Sequence, residues 1–535
     1  MTRRSLVGAL TGLLAAGLAL APLSLTAEAA PAAPVAAPAA VAVAAVPTPP
    51  PLSWGRCDDK GLRRAGAECS LLTVPLDYAN PSAGTIQIAV SRIEASRKPY
   101  RGAVFTNPGG PGGSGITLSV LGQYVPDKVG LTYDWYGIDP RGVGGSKPAL
   151  SCIPSFDGYD REPYVPKTQS ILDYWLTRSR AYSAACAASS AKALLPHMKT
   201  TDLVNDFESL RVAIAQAQIT WYGFSYGTYL GQVYSTLYPG SLKAMVLDGV
   251  VDPTTWGYEG GFAQTIAFNK NYKPFFRWVA RYDKVFGLGR SVKQVARTYK
   301  KTLKALTRKP LFKKRVGPSE FDDALTQAAY YNLTWIDVAG AWSKAVLKRN
   351  GRPLSELQGY EPNNPQADNG HAAFLATFCT DAPYPRDDAR VIADSRALFQ
   401  KAPYSTWSST WFSQPCTSWP VPSQTATTVT GAFTGPVLLT NESRDAATPV
   451  AGAYVVRSLF PTASLVVAKG TSHAVSLFGT ACIDNAVAAL LKKGTLPKRK
   501  SGDRADVKCQ GLRPPNPLAD EAGRVAALRP LPALP

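Results

Sequence analysis

The sequence predicts an α/β protein in which a mostly parallel, helix-flanked sheet is interrupted by an inserted, mainly helical cap domain. Short apolar runs alternate with helical patterns before residue 254 and after residue 428, as in a parallel sheet that is covered on both faces. Between these positions the alternation gives way to helical stretches rich in Trp, Tyr and Phe. We therefore expect residues 52–253 and 429–512 to form one domain, with residues 254–428 as the insertion.

Four β-rich or apolar runs are the expected strands of the first part, and the first two of them form a hairpin: Leu71–Tyr78, Thr85–Ile93, Gly102–Thr106 and Tyr133–Asp139. A helix, a strand, a helix and a strand should follow at Asp202–Gln216, Ile219–Phe224, Tyr226–Leu237 and Ala244–Leu247. After the insertion the strand–helix pattern returns at Val437–Thr440, Val450–Leu459, Leu465–Ala468 and Asp484–Leu491.

Composition and charge argue against a disordered chain, a metalloprotein and a nucleic-acid-binding protein. The 535 residues include 58 basic and 38 acidic side chains, a net charge of +20, and 45% hydrophobic residues, which is a globular composition. Only three histidines occur and no Cys-x-x-Cys, so we expect no metal site and no cofactor. A basic helix face is interpreted as solvated surface, because no nucleic-acid motif accompanies it; its residues are Lys293, Arg297, Lys301, Lys304 and Arg308.

The two ends of the chain are predicted to lie outside the folded part. Residues 1–30 have a basic start, an uncharged apolar stretch and a small-x-small site, which indicates an export signal peptide. A permanent membrane anchor competes with this interpretation, but Pro22 interrupts the stretch. We expect a secreted, extracellular protein without stable membrane association, an Ala/Pro-rich linker or pro-segment at 31–51, and a loose tail at 513–535.

An even number of cysteines behind an export signal predicts disulfides, since such bonds form in oxidising compartments. The eight candidates are Cys57, Cys69, Cys152, Cys186, Cys379, Cys416, Cys482 and Cys509. We expect each to pair with its neighbour in sequence, so that every bond closes a local loop. Buried free thiols are the alternative.

The strongest local signal is Gly223-Phe224-Ser225-Tyr226-Gly227, which lies between a predicted strand and a predicted helix. In this Gly-x-Ser-x-Gly pattern a sharp turn lifts the serine above the sheet, and glycines leave room on both sides. The sequence therefore predicts Ser225 as a catalytic nucleophile. A serine needs a base to remove its proton, and in this arrangement the acid and the base follow it in the chain.

Chain order selects the base, and a position at the end of a predicted strand favours the acid. Chain order excludes His197 and disfavours His371, which lies in the insertion, so His473 is the predicted base. Asp445 follows the strand Val437–Thr440 and lies upstream of that histidine, as an orienting acid should; Glu442 is its competitor.

Acyl transfer also needs hydrogen-bond donors for an oxyanion. The backbone N–H groups of Tyr226 and of Gly110, in the glycine-rich loop Gly109–Gly113, are the predicted donors. A phosphate-binding loop is the alternative, but no Gly-x-x-x-x-Gly-Lys pattern is present. Asp139 and Arg141 are interpreted as structural residues that hold the turn after a central strand.

Taken together, the motifs resemble α/β-hydrolases of the prolyl aminopeptidase type, and most closely the secreted tripeptidyl aminopeptidases. The resemblance covers about residues 54–512 and rests on Asn107–Gly113, Asp139–Gly142, Gly223–Gly227, Asp445–Pro449 and His473. It implies an α/β-hydrolase fold and a serine exopeptidase that removes short peptides from a free N-terminus under a helical cap. The chain departs from the smaller prolyl aminopeptidases at Pro108, where those enzymes carry a histidine.

The expected partners are therefore peptides with a free N-terminus. An exported esterase or lipase with the same triad is the main alternative, and a non-catalytic binding protein is the other. An exopeptidase also needs an anion to hold the substrate ammonium, and three carboxylates are conceivable, among which the sequence does not select: Asp252, Glu361 and Asp381. The oligomeric state is not indicated.

Overall fold

The computed structural model describes residues 45–519, in which ten strands form one sheet. In chain order they are β1 (Gly55–Arg56), β2 (Glu68–Pro75), β3 (Thr85–Ile93), β4 (Ala103–Asn107), β5 (Asp134–Ile138), β6 (Ile219–Phe224), β7 (Leu242–Asp248), β8 (Val437–Glu442), β9 (Ala463–Lys469) and β10 (Val507–Gln510). Their order across the sheet is β1-β2-β3-β5-β4-β6-β7-β8-β9-β10. Strands β1, β2, β3 and β5 pair antiparallel, whereas all pairs from β5 to β10 are parallel.

Fifteen α-helices occur in the described residues. They are α1 (Lys60–Arg64), α2 (Gln169–Ala188), α3 (Thr200–Ala213), α4 (Tyr226–Leu237), α5 (Gly260–Arg281), α6 (Asp283–Phe286), α7 (Val292–Arg308), α8 (Pro318–Tyr330), α9 (Trp335–Lys348), α10 (Arg352–Gln358), α11 (Asn369–Asp381), α12 (Asp388–Phe399), α13 (Thr406–Ser413), α14 (Ala451–Leu459) and α15 (Ala481–Lys493). Short 3-10 helices add Pro81–Ala83, Ile116–Tyr124, Pro126–Thr132, Lys192–His197, Pro239–Ser241, Asn332–Thr334 and Gln414–Ser418. Over residues 45–519, none of the helices combines the length and apolarity that crossing a bilayer requires.

The predicted mostly parallel sheet with helices on it is confirmed. Strand β6 and helix α4 have the predicted bounds, and the predicted hairpin is present, although β2 begins and ends three residues before the expected run. The edge strand β10 was not predicted. Its residues Val507-Lys508-Cys509-Gln510 have no apolar run, and they become a strand by pairing with β9.

The helices between β7 and β8 form the cap, which is built around its own aromatic core. Helices α5, α7, α8 and α9 pack rings against one another, with Phe276 in contact with Tyr299 and Trp342. The described part of the tail contacts this cap, because Trp278 Nε1 donates to the Pro515 carbonyl at 3.0 Å.

The expected boundaries at 254 and 428 stay predictions. The predicted export signal, the linker up to residue 44 and the tail from residue 520 lie outside the described residues.

Four disulfides join Cys57 to Cys69, Cys152 to Cys186, Cys379 to Cys416, and Cys482 to Cys509. These are the pairs of sequence neighbours that we expected. Each closes a loop of 12 to 37 residues. The last bond ties helix α15 to β10, which explains how a weakly apolar edge strand is held in place.

Arg141 explains the Asp139–Gly142 motif. Its guanidinium is fully buried and forms a two-pronged ion pair with Asp206, at 2.7 and 2.6 Å. It also donates to the carbonyls of Leu76 and His197 at 3.0 and 2.8 Å. The pair therefore joins the turn after β5 to the end of β2 and to helix α3, a structural role in agreement with the sequence interpretation.

We predict that Arg141→Met lowers the free energy of unfolding by about 3–5 kcal/mol, because it leaves the Asp206 carboxylate buried without its cationic partner. Denaturant-induced unfolding measures the change. Arg352→Met is the matched control: its pair with Glu356 is 69% and 60% exposed, so a loss below about 1 kcal/mol is expected. Equal losses in the two variants would contradict the structural role.

Candidate active site

Ser225 occupies a strained turn between β6 and α4. Its φ and ψ are 54° and −126°, a conformation that is costly for a residue with a side chain. The glycines on both sides are required by close approach: a Cβ on Gly223 would lie 2.2 Å from the Gly227 carbonyl oxygen, and one on Gly227 would lie 2.6 Å from the Asn107 carbonyl oxygen. Within the five-residue motif Ser225 alone is partly exposed, so the turn presents its hydroxyl at the surface of the site.

The glycine-rich loop after β4 lies directly against this turn. A Cβ on Gly109 would be 2.7 Å from Ser225 Cβ and 2.9 Å from the Tyr226 nitrogen. The Gly109 N–H donates to Asn107 Oδ1 at 2.9 Å, so the strand end holds the loop in place. Tyr226 begins helix α4, where the first N–H groups have no partner within the helix and the helix dipole favours negative charge. The loop residue Gly110, with φ of 106°, remains the predicted second donor.

The structure joins His473 to Asp445. His473 Nδ1 lies 2.9 Å from both carboxylate oxygens of Asp445. Thr448 fixes that carboxylate, since its N–H and its hydroxyl donate to the two oxygens at 2.9 and 2.8 Å. The competitor Glu442 instead accepts a hydrogen bond from the Ser472 N–H at 2.5 Å, and burial raises the pKa of Glu442 to about 8.

The pairing determines the state of the imidazole. Burial lowers the pKa of His473, but the Asp445 carboxylate, aided by the more distant Asp248, more than offsets this, so the net pKa is raised. With the Nδ1 proton directed at the carboxylate, Nε2 of the neutral ring is left to accept a proton. The arrangement is therefore suited to general-base chemistry.

Asp248, which the sequence analysis missed, connects the serine turn to the histidine loop. Its backbone carbonyl accepts the Ser225 N–H at 2.9 Å. Its buried carboxylate accepts the N–H groups of Val475 and Ser476 at 2.8 and 2.6 Å. The next residue, Gly249, is so close to the imidazole that a Cβ would lie 3.0 Å from His473 Cε1. Ser225 and His473 are thus held at the same edge of the sheet. In the sequence, the role of Asp248 was indicated only by its position as an acidic residue at the end of a predicted strand.

The cap is hydrogen-bonded to both loops of the site. Asn271 of α5 is 2% exposed, and its amide donates to the carbonyls of Arg444 and Thr471 at 2.9 and 3.3 Å. The Tyr330 carbonyl, at the end of α8, accepts the His473 N–H at 2.9 Å. The positions of Asp445 and His473 therefore depend on the cap as well as on the sheet.

The other two histidines have different partners. His371 is buried in α11 and lies 3.1 Å from Asp157 Oδ2 and 2.9 Å from the Phe412 carbonyl. His197 is partly exposed and lies 3.9 Å from Asp77. Neither is paired with the residues around Ser225.

The contacts and exposure of the three conceivable ammonium anchors do not favour one of them. The Asp381 carboxylate accepts hydrogen bonds from the Thr200 N–H at 2.9 Å and from Trp256 Nε1 at 2.7 Å, and it is buried. The Asp252 carboxylate accepts both the N–H and the hydroxyl of Thr254. Glu361 is exposed. The anchor is not selected by these contacts.

Comparison with known proteins finds similarity to hydrolases, among them peptidases. Residues 402–509 match a family described as TAP-like protein. A tripeptidyl aminopeptidase of Streptomyces lividans is 34% identical over 485 residues, which cover 87% of this chain and 88% of that protein. Two Mycobacterium tuberculosis proteins are also similar: serine protease Hip1, 29% identical over 84% of this chain and 90% of that protein, and carboxylesterase B, 30% identical over 84% and 89%.

We predict that the acid limb of the pH profile of kcat/KM for a peptide substrate lies above pH about 6.5, because His473 must lose its proton and its pKa is raised. Asp445→Asn removes the anion that raises this pKa, so the limb should move to lower pH and the plateau should fall by about 10⁴-fold. Asp252→Asn is the control and should leave the limb in place. An unmoved limb in Asp445→Asn would refute the pairing as the cause.

Proposed function

Because this chain belongs to the tripeptidyl aminopeptidase family of α/β-hydrolases, we propose that it removes short peptides from the free N-termini of peptide substrates. The protein is a hydrolase of the serine peptidase type, as its relatives are. The observation that carries the finer proposal is the buried Asp445–His473 pair at the sheet edge that also bears the strained Ser225 turn.

Each residue has one role in the proposed mechanism. Ser225 Oγ attacks the carbonyl carbon of the scissile bond while His473 Nε2 takes the hydroxyl proton. Asp445 holds the imidazole in the required tautomer and stabilises the imidazolium. The N–H groups of Tyr226 and Gly110 hold the oxyanion.

The reaction then proceeds in two halves. The imidazolium returns its proton to the leaving amine, the C–N bond breaks, and the N-terminal fragment remains as an ester on Ser225. Water then attacks this ester while His473 removes a proton from the water. The tetrahedral intermediate breaks down with return of that proton to Ser225 Oγ, which releases the free acid.

The position of the cap supports an exopeptidase rather than an endopeptidase. Helix α8 ends on the histidine loop, and helix α5 is bonded to the loops of both Asp445 and His473. We expect a wall of helices this close to the proposed catalytic residues to limit how far the substrate extends on the N-terminal side of the scissile bond. The four disulfides support the proposal that the enzyme acts outside the cell, where such bonds form and persist.

An esterase is the second candidate, and similarity to the protein named carboxylesterase B favours it. Ester and amide hydrolysis share the acyl-enzyme, so the residues of the site serve both reactions. The requirement for a free substrate amine separates the two candidates.

We predict that a tripeptide anilide with a free N-terminus is hydrolysed at least about 100-fold faster, in kcat/KM, than its N-acetylated form, since acetylation removes the ammonium and adds bulk at the wall. Release of aniline measures both rates. A simple aryl acetate, tested in parallel, reports on esterase activity. Equal rates for the two peptides, with fast turnover of the ester, would favour the esterase.

We also predict that a serine-directed phosphonate labels the protein at one site and that Ser225→Ala abolishes the labelling. Intact-mass spectrometry detects the adduct. Ser443→Ala is the control, because this exposed serine lies near the site outside the proposed triad. Labelling that persists in Ser225→Ala would reject the assignment of the nucleophile.

A further inference from the structure

A cavity of about 710 Å³ lies between the cap and the turn that carries Asp445, on the side of that turn lined by Ser443 and Arg444. Helix α5 forms one wall, the beginning of α7 forms another, and the turn with the start of α14 forms the third. Ser225 and His473 do not line the cavity. Asp445 does line it, so the cavity borders the proposed acid without including the other two residues of the proposed triad.

The cavity is strongly cationic. Lys270, Lys273 and Arg277 are spaced by three and four residues on α5, so they share one face of the helix, and Arg444 joins them from the turn. Among residues 45–519, no salt bridge pairs any of these four side chains with a carboxylate. The one carboxylate in the lining, that of Asp445, is bound to His473 and Thr448, and the four cations outnumber it.

The remaining lining gives the cavity a shape that a flat basic surface lacks. Apolar side chains contribute most of the walls between the charges: Pro274, Phe276, Val292, Ala296, Tyr404 and Val450. Low-dielectric walls concentrate the field of cationic groups and raise the local concentration of anions. The volume lies in the range that holds a small ligand.

Part of the basic side of α7 does not border the cavity. Lys300, Lys301 and Lys304 are exposed and do not line the cavity, which leaves that part of the face as solvated surface, in agreement with the sequence interpretation. The four cations of the cavity are exposed as well, so neither positive charge nor exposure distinguishes the two regions. The difference is that only these four side chains border a cavity.

We propose that the cavity between α5, α7 and the Asp445 turn binds a small multivalent anion through its carboxylate or phosphate groups. Lys270, Lys273 and Arg277 bind from the helix side and Arg444 binds from the turn side. The Arg444 carbonyl is bonded to Asn271, and its N–H donates to the Gly470 carbonyl at 3.1 Å, so the turn side of the site is held in place. The site does not rest on the proposed peptidase activity, because none of its four cations acts in that mechanism.

Binding to the full-length protein at 150 mM salt tests the proposal, with calorimetry as the measurement. Two probes represent the two sources of such an anion: inorganic tripolyphosphate, and an N-acetylated peptide of four glutamates. We expect at least one of them to bind with 1:1 stoichiometry. The probe that binds identifies whether phosphate or acidic peptide is the preferred source.

Two triple variants separate a local site from the effect of the net charge of +20. K270Q/K273Q/R277Q should weaken binding at least about tenfold, since it removes three of the four charge contacts to the anion. K300Q/K301Q/K304Q removes the same charge outside the cavity and should leave the affinity within about twofold. Arg444→Gln, on the opposite wall, should weaken binding by itself and so covers the case in which the first variant does not fold. Equal losses in the two triple variants, or no 1:1 binding of either probe, would overturn the proposal.

Discussion

Asp248 is the last residue of strand β7. Its buried carboxylate accepts hydrogen bonds from the N–H groups of Val475 and Ser476 in the histidine loop, and its carbonyl oxygen accepts one from the N–H of Ser225. A buried carboxylate that lost these donors would be costly, because its charge would remain away from water without compensation. The two loops are therefore bound to one residue, and the relative positions of Ser225 and His473 follow from it. Parallel pairing of β6, β7, β8 and β9 makes this possible, since it brings the carboxyl ends of all four strands to one edge.

The cap adds a second set of constraints to the same edge. Asn271 and the Tyr330 carbonyl bind the loops of Asp445 and His473 from the opposite side to the sheet. A shift of α5 or α8 would therefore move Asp445 and His473, so the cap that we propose as a limit on the substrate also positions the proposed acid and base. The cationic cavity lies along α5 within this arrangement, and a ligand bound there would contact the turn that carries Asp445.

Much of this arrangement was predictable because its signals are local. The serine motif needs glycines where the backbone of a neighbouring segment comes within contact distance, and both glycines of the motif meet that condition. The turn after β8, with Thr448-Pro449 behind it, favoured Asp445 over Glu442, and the hydrogen bond of Asp445 to His473 agrees with that choice. The strand β10 and the roles of Asp248 and Asn271 were not predictable, because each depends on partners more than thirty residues away that no periodic pattern reveals.

By itself, the sequence determined the alternation of strands and helices and the strained serine turn, since these depend on periodicity and glycine geometry. It favoured the pairing of neighbouring cysteines, because such pairs close short loops. Only the tertiary structure decided which carboxylate reaches the imidazole, how the cap is bonded to the loops of Asp445 and His473, and where cations without a salt bridge border a cavity. Those features depend on distances between segments far apart in the chain. Such distances are set by the packing of the whole sheet and cap, and no segment carries them alone.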